Sequence, residues 1–348
     1  MIETDALIVG AGPVGLFQVF QLGLLDIKAQ VVDSLPHAGG QCMELYPDKP
    51  IYDIPGTPRT SGRELVTSLL EQIKPFNAGF HLGQEVSTLA AQPDGRFLAE
   101  TSRGTRFLAK TIFLAAGVGS FQPRRLKIEG LDAFEHSQLF HHTGDPALFA
   151  GKQVLVVGGD GAAIESACRL AEAGPHQALK VTLLHRREVL SASAAVLARF
   201  EAARASGAVD FRVGQVTGIE AAGGVLGAAQ ITDVNGETAP LPLDVMLVLL
   251  GLSPRLGPLA DWGLDMERKQ LSVDTEKFST RVAGIFAVGD INTYPGKKKL
   301  ILCGFHECVL AAFGAAALVF PDQKIQLQYT TTSPKLHRLL GVGSPLAD

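Results

Sequence analysis

The residues in this sequence best placed to do chemistry are grouped around glycine. Gly10-Ala11-Gly12-Pro13-Val14-Gly15 directly follows the apolar run 6–9 and opens the segment 14–25, whose apolar positions suit a helix. That strand, turn and helix order is what a dinucleotide-binding fingerprint requires. Glycine lets the backbone turn tightly and approach a pyrophosphate, whose charge then rests on the free N–H groups and positive end of the new helix. Gly10, Gly12, Pro13 and Gly15 are therefore candidate binding residues. Asp33 closes the next mostly apolar run, about 20 residues on, where an acid accepts hydrogen bonds from an adenosine ribose. A second loop of this kind, Gly158-Gly159-Asp160-Gly161-Ala162, follows the apolar run 153–157.

Such loops need sheets and helices behind them. Ser61-Gly62-Arg63-Glu64 is a capping-box pattern that starts a helix running to about Pro75. Residues 85–115 read as three short strands joined by Pro93-Asp94-Gly95 and Arg103-Gly104, then a separate buried strand at 111–115. This predicts a small β-meander beside a parallel sheet. A second α/β unit begins at 153–157, carries a hairpin near Asn235-Gly236, and ends with a strand at 245–250 closed by Gly251. The apolar stretch 300–320 predicts a buried helix.

Composition narrows the function. At 348 residues the chain exceeds the size at which one core stops growing, so two domains are expected. A net charge of −4 argues against a nucleic-acid binder. No apolar run reaches the ~20 residues needed to cross a bilayer, the nearest being 300–320 with its Cys303, His306, Glu307 and Cys308. The N-terminus enters a strand at once and has no secretory pattern, so no membrane role and a cytoplasmic location are expected. Cys42, Cys168, Cys303 and Cys308 show neither CxxC nor ligand-like spacing, and His141-His142 sits in a polar loop, so no metal site is expected and the thiols read as reduced.

Further along, residues 280–290 end in Gly289-Asp290, like the second flavin motif of two-dinucleotide-domain flavoproteins. Ser34-Leu35-Pro36 precedes Gly39-Gly40-Gln41, followed by Leu45-Tyr46-Pro47-Asp48-Lys49 and Ile51-Tyr52-Asp53-Ile54-Pro55-Gly56, and a tail extends beyond the last helix. With these residues the chain resembles the thioredoxin-reductase-like flavoproteins over nearly its full length. Within that group it is most similar to the ferredoxin(flavodoxin)–NADP reductases of the thioredoxin-reductase type. Thioredoxin reductases carry a CxxC in the nucleotide domain, yet residues 118–167 contain no cysteine; glutathione-reductase relatives carry a pair after Gly39-Gly40, where only Cys42 stands.

The resemblance implies an α/β fold of two Rossmann-like dinucleotide-binding domains of the three-layer ββα type. The NADP domain, 119–283, would be inserted into an FAD domain made of 1–118 and 284–348, with a tail at 321–348 and hinge crossings near 117–122 and 280–284. It implies that Gln41, Tyr46, Val86, Phe121, Gly289, Asp290 and Thr330 join Asp33 as FAD contacts, with Tyr46 stacked on one face of the flavin. Tyr329, from a tail that crosses to a second subunit, would stack on the other face, which implies a homodimer. The N-terminus of the 300–320 helix would face the flavin's pyrimidine edge, where its dipole favours negative charge on the reduced ring. His185-Arg186-Arg187 resembles the family's clamp for the 2′-phosphate of NADPH, since guanidinium groups offer paired donors with permanent charge. Two departures stand out: Asp160 replaces the third glycine of the family's nucleotide loop, and a further Arg is missing from 189–192.

The implied activity is electron transfer between NADPH and ferredoxin or flavodoxin through FAD, with no side chain acting as acid or base. Lys297-Lys298-Lys299, with Lys49, Arg59 and Arg63, is either a docking patch for an acidic partner or an ordinary solvated charge run. Two other readings stay open: an NAD(P)H oxidoreductase with a quinone, iron complex or other protein as acceptor, and a flavin-binding redox sensor with weakened nucleotide binding.

Overall fold

A computed structural model of the chain describes residues 1–172, 174–327 and 329–342, without the side chain of Phe121. Its α-helices are α1 (Pro13–Leu24), α2 (Gln41–Leu45), α3 (Gly62–Ile73), α4 (Gly161–Glu172), α5 (Ala194–Ala205), α6 (Ile301–Val319) and α7 (Pro334–Leu340). The chain forms two compact units, one of residues 1–120 with the chain from 254 onward, the other of residues 121–253.

The first unit is built on a sheet with a parallel core. Ile2–Val9 lies between Ala29–Asp33 and Arg106–Leu114, Gly79–Leu82 extends one edge, and Ile285–Ala287 pairs with residues 112–114. Alternation along the strands sends successive residues to opposite faces. Ala6, Ile8, Val31, Phe113 and Phe286 face α1, α3 and α6, while Leu7, Val32, Ile112, Leu114 and Ile285 face a second core containing Leu259, Leu264 and Leu271. Phe113 and Phe286 stack with ring centroids 5.1 Å apart, and each fully buried ring contributes about 1.5–3 kcal/mol. Helix α3 begins with the expected capping box: Ser61 Oγ accepts the Glu64 N–H at 3.2 Å and Glu64 Oε2 accepts the Ser61 N–H at 2.7 Å.

Two expectations about this unit change. The last meander strand and the buried strand are one nine-residue strand, Arg106–Leu114, whose first half pairs antiparallel with Phe97–Thr101 and whose last residues pair with Ile285–Ala287. The meander therefore grows out of the main sheet. The return crossing lies at 253–254, not near 284, because residues 254–283 bury Leu259, Leu264 and Leu271 in the first unit's core and pair Gln270–Ser272 with Asn292–Thr293.

The second unit repeats the layering. Its parallel sheet runs Leu139–Phe140, Val245–Val248, Gln153–Val157, Lys180–His185, Val209–Val213. Val154, Val156, Val181 and Leu183 pack under Ile164 and Cys168 of α4 and Phe200 of α5. On the opposite face Leu155, Val157, Met246 and Val248 meet Val216, Leu226, Ile231 and Leu241 from the antiparallel strands Gln215–Ala222, Val225–Thr232 and Thr238–Pro242. Helix, parallel sheet and antiparallel sheet give the three-layer ββα arrangement.

Helix α6 is long and apolar enough to cross a bilayer by length and composition, contrary to the expectation that no segment reaches that mark. Its Gly304, Glu307, Cys308, Ala311, Ala312, Ala315, Ala316 and Val319 are buried within the first unit, so it is a core helix here.

Candidate functional site

In the first unit the glycine loop has the shape of a cradle. A Cβ on Gly10, whose φ is +112°, would strike the Ala115 carbonyl, and one on Gly15 would overlap the Gly10 carbonyl oxygen. Gly12 has nothing within 4 Å of such a Cβ, so the loop is closed behind and open in front. Helix α1 starts with Pro13 at its first turn and no capping side chain, leaving backbone N–H groups to satisfy an incoming anion. Gly40 (φ +51°) lies against this loop, with its Cβ position 3.1 Å from Gly12 Cα, and the Gly39 N–H donates to Ala11 O at 2.9 Å. The residues present fit a dinucleotide pyrophosphate.

Asp33 sits where the sequence places it, yet its partners are backbone groups of the fold. Oδ2 accepts the Ala11 N–H at 2.6 Å and Oδ1 the Leu35 N–H at 2.8 Å. Burial raises its pKa, opposed by these two donors. Each carboxylate oxygen keeps a second lone pair for a ribose hydroxyl. Gln41 opens α2, with its Nε2 3.5 Å from the Cβ position of Gly117. Tyr46 follows α2, half-buried, its hydroxyl accepting the Cys42 S–H at 3.7 Å; burial pushes the phenol well above its ordinary value, so it stays neutral. Val86 is buried in the sheet core, so only its peptide is available to a ligand. Phe121 carries a side chain outside the described residues.

Gly289, with φ +79°, ends the strand Ile285–Ala287 and presents Asp290, half-buried, whose carboxylate accepts no hydrogen bond among the described residues. Gly304 in the first turn of α6 packs on Gly289, its Cβ position 3.3 Å from Gly289 Cα, so the α6 N-terminus adjoins the Asp290 turn. Tyr329 is 70% exposed and Thr330 is exposed.

Lys297 is not solvated. Its side chain is 6% exposed, ion-paired with Glu307 and donating to Gly289 O at 2.9 Å. That removes it from any docking patch; Lys298 and Lys299 remain exposed, and Arg63 pairs with Asp48 at 3.1 Å. The sequence reading missed Glu307, although an acid inside the apolar run 300–320 was a signal of a buried partner.

In the second unit, Gly158 is forced by the Leu249 carbonyl and Ala163, and Gly159 by the His185 ring, either of which a Cβ would strike. Asp160 does not stand idle: Oδ1 accepts the Ala163 N–H at 3.1 Å, capping α4, while its carbonyl accepts the Ile164 N–H at 3.1 Å. An acid thus occupies the Ala163 amide in the first turn of α4, where a phosphate would settle against the helix N-terminus. Arg186 and Arg187 are exposed and make no ion pair among the described residues, which leaves both guanidinium groups free for a phosphate.

His185 is held neutral, first by burial and then by Arg186 and Arg187, which lower its pKa below the ordinary 6.5. A depressed folded value means the associated stability is full above 6.5 and is lost as pH falls from there through the folded value. His185→Gln should flatten the fall of Tm between pH 6.5 and 5; identical slopes in both proteins would refute this role.

Comparison with known proteins agrees with this geometry. The family described as pyridine nucleotide-disulphide oxidoreductase matches residues 4–306. The ferredoxin–NADP reductase of a Polaromonas species is 62% identical over 347 residues, covering 100% of this chain and 95% of its own length. That of Albidiferax ferrireducens is 61% identical, covering 100% and 98%. Among solved structures, Lactococcus lactis thioredoxin reductase superposes with a TM-score of 0.57 at 22% identity, covering 91% of this chain and 99% of its own. The bacillithiol disulfide reductase of Staphylococcus aureus gives 0.60 at 18% identity, covering 93% and 100%. These two show likeness of fold.

Proposed function

The chain belongs to the pyridine nucleotide-disulphide oxidoreductase family, and from that premise we propose that it is an FAD-dependent ferredoxin–NADP reductase. The observation that carries this reading is a glycine loop shaped for a dinucleotide beside four free cysteines. A disulfide reductase of this fold needs a redox-active pair; Cys42 instead bonds Tyr46, and burial raises the Cys42, Cys168 and Cys308 thiols away from reactivity. Bound FAD supplies the conversion of a hydride from NADPH, taken at N5, into single electrons for ferredoxin or flavodoxin.

The protein's own part is position and charge. Gly10, Gly12 and Gly15 admit the pyrophosphate, Asp33 ties the loop and offers lone pairs to the ribose, and Asp290 offers an unengaged carboxylate to the flavin's polyol chain. Tyr46, kept neutral, would pack against the ring. Arg186 and Arg187 hold the 2′-phosphate that distinguishes NADPH from NADH. Lys298, Lys299, Lys49 and Arg59, all exposed, favour a small acidic electron carrier. A homodimer is supported by the tail, where Leu327, Tyr329, Leu339, Leu340 and Val342 expose apolar surface that a second copy would cover. We place the protein in the cytoplasm, where ferredoxin and NADPH meet.

Anaerobic titration with NADPH and, in parallel, NADH tests the reading. Flavin absorbance should bleach with NADPH at concentrations at least tenfold below those needed for NADH. Bleaching by neither would favour the flavin-binding sensor, for which Asp160 is the motivating residue.

A further inference from the structure

Among the described residues only Asp33 and Glu307 are buried acids, and Glu307 is 0% exposed. A buried ion pair is weak evidence for stability, because well-packed apolar side chains often do as well in its place. What distinguishes Lys297 and Glu307 is where their bonds go. Glu307 Oε2 accepts the Gly289 N–H at 2.6 Å and the Asn292 amide N–H at 2.8 Å. Its Oε1 accepts the Tyr294 hydroxyl at 2.9 Å and the Lys297 ammonium, and Lys297 Nζ also donates to the Gly289 carbonyl at 2.9 Å. The two peptide units that flank Gly289 are thus held one by each member of the pair. Asn292 Nδ2 also donates to Ala287 O at 2.8 Å, tying the same turn to the strand before it.

Gly289 needs this. With φ at +79° and no side chain, its peptides have more freedom than any other residue would have, and Asp290 is the next residue. The groups that face the pair are Gly289, Asn292, Tyr294 and the neighbouring Cys308, whose thiol is raised by burial and remains neutral. Both members are buried and bond the turn directly, so an unbalanced charge on either would be felt with little attenuation.

We propose that Lys297 and Glu307 are a positioning pair for the flavin, clamping both peptides of Gly289 so that Asp290 is presented to the cofactor, and keeping the net charge behind that turn at zero. This rests on the flavin reading above.

The test uses the FAD-loaded protein and Lys297→Met, Glu307→Gln and the double variant. Three quantities are measured: FAD retained after gel filtration, Tm, and flavin reduction potential by equilibration with a reference dye. Both single variants should retain less FAD. Glu307→Gln, which leaves an ammonium, should favour the reduced flavin at least tenfold, about 30 mV upward for a two-electron couple. Lys297→Met, which leaves a carboxylate, should shift it the other way by a similar factor. The double variant should return to within about threefold of wild type. A merely structural pair would lower Tm and FAD retention alike and leave the potentials unmoved or moved in one direction, which would overturn the proposal. If the single variants cannot be loaded, Glu307→Asp decides: it keeps the charge and shortens the reach. Several-fold weaker FAD retention at an unchanged potential would support the clamp, and wild-type retention would overturn it. Wild-type protein that binds no FAD would remove the flavin reading itself, whereas loaded variants with unmoved potentials remove only this assignment.

Discussion

Gly15→Ala is expected to purify largely free of flavin and with a lowered Tm. The added methyl would overlap the Gly10 carbonyl oxygen, and Gly10 has no room to retreat. Its N–H is bonded to Val32 O at 2.8 Å, and the Ala115 carbonyl stands 2.4 Å from its Cβ position. Overpacking of this kind costs about 1–3 kcal/mol, and because the displaced loop is also the pyrophosphate site, FAD affinity should fall by a similar amount, about 5- to 150-fold. Gly12→Ala is the contrast. Nothing lies within 4 Å of its Cβ position, so the fold should be untouched while the methyl fills space meant for the ligand. The ratio of flavin to protein absorbance, read beside Tm, separates the two. Wild-type flavin content in both variants would show that this loop does not bind the cofactor.

Asp160→Asn is expected to lower the KM for NADPH by about 5- to 150-fold, with kcat unchanged. The carboxylate caps α4 at Ala163, and asparagine caps a helix about as well as aspartate, so the local structure should survive. What disappears is a negative charge beside the place where a diphosphate must settle. Like charges about 5 Å apart cost about 1–3 kcal/mol at the effective dielectric of a protein surface. Asp160→Ala should show the same KM gain together with a loss of about 1 kcal/mol in stability from the missing cap. Measuring KM with a dye acceptor isolates the nucleotide step, and an unchanged or higher KM in Asp160→Asn would mean that the acid is not near the phosphates.

The two loops were legible in the sequence because their signals are local. A tight turn between strand and helix needs glycine at set spacings, and Gly10, Gly15, Gly158 and Gly159 are each required by a carbonyl or ring that a Cβ would strike. The capping box at Ser61 and Glu64 was equally readable, being closed within four residues. Lys297 was misread because three consecutive lysines look solvated, and its partner lies ten residues on in another element. The capping role of Asp160 also escaped, since the same residue reads as a lost glycine until the helix behind it is seen. The single strand Arg106–Leu114 was divided in two because Lys110 and Thr111 interrupt its apolar pattern. Thr111 is buried all the same, with its hydroxyl donating to Asp5 O at 2.8 Å. The return crossing was placed late because the motif at Gly289 is conspicuous, whereas the leucines that tie 254–283 to the first unit carry no motif.

The stack of Phe113 on Phe286 also bears on how the protein is made. The first ring leaves the ribosome before the whole of residues 121–253 and the second after them. At ordinary elongation rates the interval is on the order of ten seconds. During that time the second unit has all its own strands and helices and can complete itself, while residues 112–114 of the first wait with an unpaired edge. The unit that begins first therefore finishes last, and a ribosome that stalls within residues 254–284 leaves it displaying an open, apolar strand of the kind that seeds aggregation.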